Sequence, residues 1–229
     1  MRRICTAWLL ALGGVLTTPL AAAEGPPVTI TGAAQVFDGD TLEIGPVRIR
    51  LHGIDAGETG QSCTAKAGGT WRCGARAATR LSELIADRPI TCEALDRDLY
   101  GRIIARCQAS DGIDLAERLV VEGLAWAFLE FSTDYLRTEK DARAREIGIW
   151  QAPTQTPWAY RDDRWARAVA AAPGECPIKG NINASSGERI YHTPWSPNYA
   201  RTQIDEDAGE RWFCDEAEAT AAGWRARTR

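Results

Sequence analysis

Between Val47 and Ile54 apolar and polar residues alternate: Val47, Ile49 and Leu51 fall on one side, Arg48, Arg50 and His52 on the other. That period predicts a half-buried strand with arginines on its open face. Upstream, Ile30–Ala34 and Thr41–Ile44 read as strands around Asp38-Gly39-Asp40, and Gly45-Pro46 reads as a second turn. From Gly74 to Ala86 the spacing becomes helical. Ala77, Leu81, Leu84 and Ile85 form one apolar stripe, with Pro89 just past its end. Pro89–Cys92 and Ile103–Cys107 are two more strands around a polar loop. A second helix is predicted over about Leu115–Gly123, capped by Asp114 with Glu117 as reciprocal partner. A third runs from about Thr133 to Ile147 and stops at Gly148.

Strands, a helix, a hairpin and two helices, in that order, describe an α+β domain. A small closed sheet with about three helices packed on it accounts for the order, and a five-stranded OB-type β-barrel is one such architecture. Composition shifts near Gln151. The proline- and threonine-containing run 151–157, and the alanines at 168–172 before Pro173-Gly174, read as linkers. The expected organisation is a leader over 1–23, a main domain over 24–150, a linker over 151–175 and a small C-terminal module over 176–229.

The leader rests on Arg2 and Arg3, the apolar run from Ala7 to Leu16, and Ala21-Ala22-Ala23 before Glu24, the pattern of a cleaved signal peptide. The run is too short and too interrupted for a membrane span, so no stable membrane association is expected and a secreted or periplasmic location is. Removing Arg2 and Arg3 takes the net charge from -4 to -6. A protein this acidic that binds nucleic acid must concentrate its positive charge locally, because phosphate binding otherwise needs a basic footprint.

Cys5 leaves with the leader, and Cys63, Cys73, Cys92, Cys107, Cys176 and Cys214 remain. An even set in an exported chain reads as disulfides, here with 15 possible pairings. A hairpin folding about Leu99-Tyr100 sets Cys92 opposite Cys107, within reach of a bridge. Cys63 with Cys73, and Cys176 with Cys214, follow as local pairs. Zinc carries little weight: no CxxC occurs, and Cys176, His192 and Cys214 supply only three ligand candidates. Tyr191, Trp195, Tyr199 and Trp212 fit either a binding face or, as favoured here, the core of a disulfide-stapled module.

Four clusters carry candidate chemistry: Asp38-Gly39-Asp40-Thr41, Arg50, Asp55-Ala56-Gly57-Glu58, and Asp98-Leu99-Tyr100-Gly101-Arg102. Together they supply carboxylates for a hard cation, two arginines for a phosphate and a spare glutamate, which suits metal-assisted phosphodiester cleavage. His52, beside Arg50 on the open strand face, reads as a solvated or packed histidine outside the mechanism.

Val36–Thr41, Arg50–Thr59, Asp98–Arg102, Gly123–Ala127 and Gly148–Trp150, in that order, resemble the staphylococcal nuclease (thermonuclease) family. The resemblance implies an OB-type barrel and a Ca2+ ion held by Asp40, Asp55 and the backbone carbonyl of Ala56. It also implies Glu58 as general base and Arg50 with Arg102 as the phosphate clamp. The founding member has threonine where this chain has Ala56, a change a backbone ligand survives. Gly57 stands where proline is common. Tyr100 and Phe131 are assigned to substrate contact. Phe128 and Phe131 fall near tyrosines that stack on the base, although the residues alone fit ordinary core aromatics equally well. A monomer acting on DNA or RNA, single strands preferred, is expected. The competing reading is a catalytically inactive OB-type module that binds nucleic acid or protein. The presence of all five acidic and arginine residues favours the enzyme.

Overall fold

The computed structural model describes residues 27–226. The leader read from residues 1–23 lies outside them.

In chain order the elements are β1 (Thr29–Val36), β2 (Thr41–Ile44), β3 (Val47–Leu51), β4 (Ile54–Ala56), β5 (Cys63–Thr64), β6 (Thr70–Trp71) and α1 (Cys73–Ile85). They continue with β7 (Pro89–Arg97), β8 (Ile103–Ala109), α2 (Leu115–Val121), β9 (Ala125–Ala127) and α3 (Leu136–Ala144). The last are α4 (Pro157–Ala171), β10 (Ile178–Ile182), β11 (Arg189–His192), β12 (Arg211–Phe213), α5 (Glu216–Ala221) and β13 (Arg225–Ala226).

The fold is a closed five-stranded barrel of OB type, ordered β1-β2-β3-β8-β7. β1 closes it by pairing with β7 through Thr29–Ala33 and with β2 through Ala34–Val36. The alternation in β3 sends Ile49 and Leu51 into the core, both essentially unexposed, and Arg50 to the opposite face. The β7–β8 hairpin pairs Cys92 with Cys107, and a bulge between Ala94 and Asp96 shifts the register before the tip. Asp114 caps α2 by accepting from the Glu117 N–H at 3.0 Å. α3 is shorter than its periodicity suggested, and the chain then tightens into a 3-10 turn at Gly148–Gln151.

Disulfides join Cys63 to Cys73, Cys92 to Cys107, and Cys176 to Cys214. The C-terminal module is a four-stranded sheet, β12-β10-β11-β13, over a small core of Ile178, Tyr191, Phe213, Ala219 and Trp224. The Lys179 ammonium lies 4.5 Å from the Tyr199 ring centre and 5.4 Å from that of Trp212, and Trp195 lies against Trp165. No helix among the described residues is long and apolar enough to cross a membrane.

The segment read as a linker, 151–175, is mostly the helix α4, and Ala168–Ala171 form its last turn. Thr156 caps it by accepting from the Ala159 N–H, and Pro157 occupies its first turn, where a missing N–H costs nothing. The prolines of 151–157 and the alanines before Pro173-Gly174 both read as linker because proline punctuates chains; here Pro157 starts the helix and Pro173 follows its end.

Candidate active site

Three elements bring the predicted carboxylates and Arg50 together. The turn before β2 supplies Asp38 and Asp40, β4 supplies Asp55, and the loop after β4 supplies Glu58. Gly39 makes the approach possible: a Cβ there would lie 2.6 Å from that of Ala56 and 2.9 Å from that of Ala77. Gly74, at the start of α1, is required in the same way, since its Cβ would fall 1.7 Å from the Glu58 carbonyl oxygen.

Arg50 crosses from β3 and bridges the acids. Its Nη1 donates to Asp40 Oδ1 at 2.9 Å, and its Nη2 donates to Asp55 Oδ1 at 3.1 Å and to the Ile54 carbonyl at 3.3 Å. Asp40 Oδ2 accepts from the Ala56 N–H at 2.9 Å. Burial works against the charge on Asp40, but Arg50, the Ala56 N–H, Arg102 and Arg161 outweigh it and hold this carboxyl below the usual range. Asp38 accepts from the Asp40 N–H at 3.1 Å and so shapes the turn. Burial, reinforced by the neighbouring Asp40, pushes Asp38 up to about 7. Burial likewise pushes Glu58 up to about 8, with Asp38 and Asp40 adding to the rise and Arg161 opposing it.

The loop bearing Glu58 is tied down by Gln61, which is 1% exposed. The Gln61 Oε1 accepts from the Glu58 N–H at 3.1 Å, and its N–H donates to the Glu58 carbonyl at 2.7 Å. The Cys63–Cys73 bridge, packed with Trp126 and Ile149, fastens the same loop to the start of α1. Gly57 therefore leaves this turn supported from both sides.

Arg102 is half-buried rather than out in an exposed loop, as its hairpin position suggested. Its Nε donates to Asp98 Oδ2 at 2.6 Å, and its guanidinium lies 5.5 Å from the Tyr100 ring centre. That leaves the Nη pair for another ligand. It is close enough to lower the pKa values of both Asp38 and Asp40. His52 pairs with Asp134 at 3.1 Å, away from the cluster.

Phe131 is 68% exposed and so is not a core residue. Its ring lies 4.9 Å from Phe128, which in turn stacks on Trp158 of α4 at 5.9 Å and 18°. These three rings form a ledge reached from β4, because the Phe128 N–H donates to the Gly53 carbonyl at 2.9 Å.

Two participants escaped the sequence reading. Trp158 is one. The other is Arg161, one helical turn further along α4. Its Nη2 donates to Asp55 Oδ2 at 2.6 Å, and its Nη1 donates to Asp55 Oδ1 at 3.2 Å and Glu58 Oε1 at 2.9 Å. Nothing local in Tyr160-Arg161-Asp162-Asp163-Arg164 distinguishes Arg161 from a solvated helix charge.

The donor set suits a hard cation. It is all oxygen, and Asp38, Asp40, Asp55 and Glu58 outnumber the guanidiniums directly bonded to them, Arg50 and Arg161. Two of the four carboxyls, Asp38 and Glu58, are pushed up to about 7 and about 8, chiefly by burial and then by the neighbouring carboxylates. As it stands, no group of three or more His, Cys, Asp or Glu among the described residues is drawn together as a metal cage. The carboxylates converge on guanidiniums instead.

The family model described as staphylococcal nuclease homologue matches residues 48–152, and one described as ArfC matches 163–226. Succinoglycan biosynthesis protein ExoI of Rhizobium meliloti (strain 1021) is 34% identical over 168 residues, covering 71% of this chain and 86% of that protein. An uncharacterized endonuclease of Escherichia coli is 33% identical over 134 residues, covering 56% of this chain and 81% of that protein. A micrococcal nuclease of Shigella flexneri is 31% identical over 144 residues, covering 56% and 77% respectively.

Proposed function

We propose that this chain, which belongs to the staphylococcal nuclease family, is a calcium-dependent nuclease that hydrolyses phosphodiester bonds in DNA or RNA. The observation that carries the reading is one cluster in which Arg50 bridges Asp40 and Asp55, Arg161 joins Asp55 to Glu58, and Arg102 lies within electrostatic reach of Asp40. Asp40, Asp55 and the Ala56 carbonyl would hold the cation. When bound, calcium supplies positive charge to the phosphate oxygens and to the attacking water.

The side chains do the rest. Glu58, fixed by Gln61, orients a water and takes its proton as the new P–O bond forms. Arg50 is held in place by two carboxylates, and Arg102 by Asp98. Their remaining donors bind the non-bridging oxygens, where charge accumulates as the leaving oxygen departs. Because the acids hold both guanidiniums before substrate arrives, little reorganisation is needed at the moment of reaction.

Mature protein should degrade single-stranded DNA or RNA with calcium present, stop in excess chelator, and recover when calcium is restored. Undiminished cutting in chelator would overturn the metal assignment, and absence of any cleavage with calcium would favour the binding-module reading. Three disulfides suit action in an oxidising compartment outside the cytoplasm.

The Phe128, Phe131 and Trp158 ledge suits an unpaired base, since stacking serves any base and requires it to be out of the duplex. Trp158→Ala is expected to raise KM for single strands roughly fivefold to a hundredfold, the equivalent of about 1–3 kcal/mol per stacked base. kcat should change little. An unchanged KM would remove Trp158 from the substrate path.

A further inference from the structure

We propose that Arg161 is the resident counter-cation of the calcium site: it competes with calcium for Asp55 while anchored on Glu58, so that α4 sets the calcium concentration at which the site fills. The inference rests on the calcium reading above and assigns a residue that lies between the two matched segments, 48–152 and 163–226.

The first argument is occupancy. Asp55 is the most deeply buried of the acids, its side chain only 1% exposed. Arg161 bonds both of its oxygens, and Arg50 shares Oδ1. The same guanidinium reaches Glu58, so it spans the gap between a proposed metal ligand and the proposed base. Calcium binds its oxygens at about 2.3–2.6 Å and needs several of them. It would have to take lone pairs that Arg161 now uses, and would place two like charges side by side where little water screens them.

The second argument is delivery. Arg161 is not a roaming surface side chain, because α4 is docked at both ends of the functional surface. Gln61 Nε2 donates to the Gln155 carbonyl at 2.8 Å, and the Thr64 N–H donates to Thr154 Oγ1 at 2.8 Å, which fixes the approach to the helix. One turn before Arg161, Trp158 stacks on Phe128. One turn after it, Trp165 packs on the core of the C-terminal module. The helix therefore joins the barrel to the module and aims the guanidinium at Asp55.

The third argument is charge pattern. At the N-terminal turn of α5, Glu216 accepts from the Tyr191 hydroxyl at 2.8 Å and lies within electrostatic reach of Arg102. The segment after the barrel thus sets a guanidinium on the carboxylates and brings a buried carboxyl, whose ionisation burial opposes, within electrostatic reach of the proposed phosphate arginine.

The test is calorimetric titration of calcium into full-length mature protein, with wild type, Arg161→Gln, Arg161→Lys and Asp55→Asn compared. Arg161→Gln is expected to bind calcium at least about tenfold more tightly, as a charge-assisted bidentate competitor is removed. Arg161→Lys should fall between, since a point charge cannot bridge Asp55 and Glu58 together. Asp55→Asn should abolish binding, and half-activating calcium should shift by the same factor as affinity. If wild type binds calcium and Arg161→Gln binds it equally or more weakly, the competition is overturned while the calcium reading stands. If turnover falls in Arg161→Gln with affinity unchanged, Arg161 acts on the phosphate instead, and the proposal is again overturned. If neither wild type nor Arg161→Gln takes up calcium, the calcium reading fails and this inference with it. Should Arg161→Gln fail to fold, Arg161→Lys decides: a dissociation constant equal to wild type overturns the competition.

Discussion

Replacing Arg50 with alanine is expected to lower turnover at least about a thousandfold, the lower range for an arginine that stabilises phosphoryl-transfer charge. It should also destabilise the fold by about 3 kcal/mol, because removing one partner of a buried ion pair leaves the other uncompensated. Asp40 bears most of that cost. Its side chain is only 5% exposed and Arg50 is the sole guanidinium among the described residues bonded to it, whereas Asp55 keeps Arg161. Arg50→Lys separates the two effects. Lysine restores a charge and recovers part of the stability, but it cannot bridge Asp40 and Asp55 while presenting further donors to a phosphate, so turnover should remain low. Arg102→Lys gives the contrast. Its pair with Asp98 is local and partly solvated, so stability should change by less than about 1 kcal/mol while turnover still falls about a hundredfold. Urea unfolding and single-turnover cleavage at saturating calcium read both quantities. Wild-type turnover in a destabilised Arg50→Ala protein would confine Arg50 to structure.

The parts of this site legible in the sequence are those set by short-range geometry. A period of two in β3 puts Arg50 on the face opposite Ile49 and Leu51, and the Asp-Gly-Asp turn announces Asp38 and Asp40. The pairing of Cys92 with Cys107 agrees with the expected hairpin, but by a different route: the tip is centred on Tyr100, with Arg97 facing Ile103, and the bulge between Ala94 and Asp96 shifts the register by the one residue that sets Cys92 opposite Cys107 instead of Gln108. What could not be read depends on contacts across long stretches of chain. Arg161 meets Asp55 and Glu58 more than a hundred positions away. α4 itself buries only Pro157 and Ala168 fully, so no continuous apolar stripe marks it. Gln61 gives no signal of its own, since half of its role, the bond from its amide to the Gln155 carbonyl, exists only once that distant segment docks. The carboxylate–arginine core is therefore a property of the barrel's local patterns, whereas its present occupant comes from tertiary docking of the segment that follows.

The Cys92–Cys107 bridge separates stability from chemistry. The residues face each other across β7 and β8, are both completely buried, and enclose 15 positions of sequence. Closing a loop of that size restricts the unfolded chain by about 3 kcal/mol. A Cys92→Ala, Cys107→Ala double variant is therefore expected to melt roughly 10 °C lower, given a shift of a few degrees per kcal/mol for a chain of this length. Arg102, at the far end of the hairpin, should nonetheless stay in place. The tip holds itself: the Asp98 N–H donates to the Arg102 carbonyl at 3.0 Å, Asp98 Oδ1 accepts from the N–H groups of Tyr100 and Arg102, and Oδ2 accepts from the Arg102 Nε. The bulge at Ala94/Asp96 also stands between bridge and tip and can absorb a small adjustment of the strands. Cleavage at 25 °C should then remain within about threefold of wild type, well under the hundredfold expected from losing the arginine itself. Calorimetry and single-turnover assays on the same preparation check both halves. An unchanged melting temperature would mean the bridge does not restrict the unfolded chain. A large loss of activity in protein still folded at the assay temperature would mean that Asp98 alone cannot position Arg102, and that the disulfide supports the active site through the length of the hairpin.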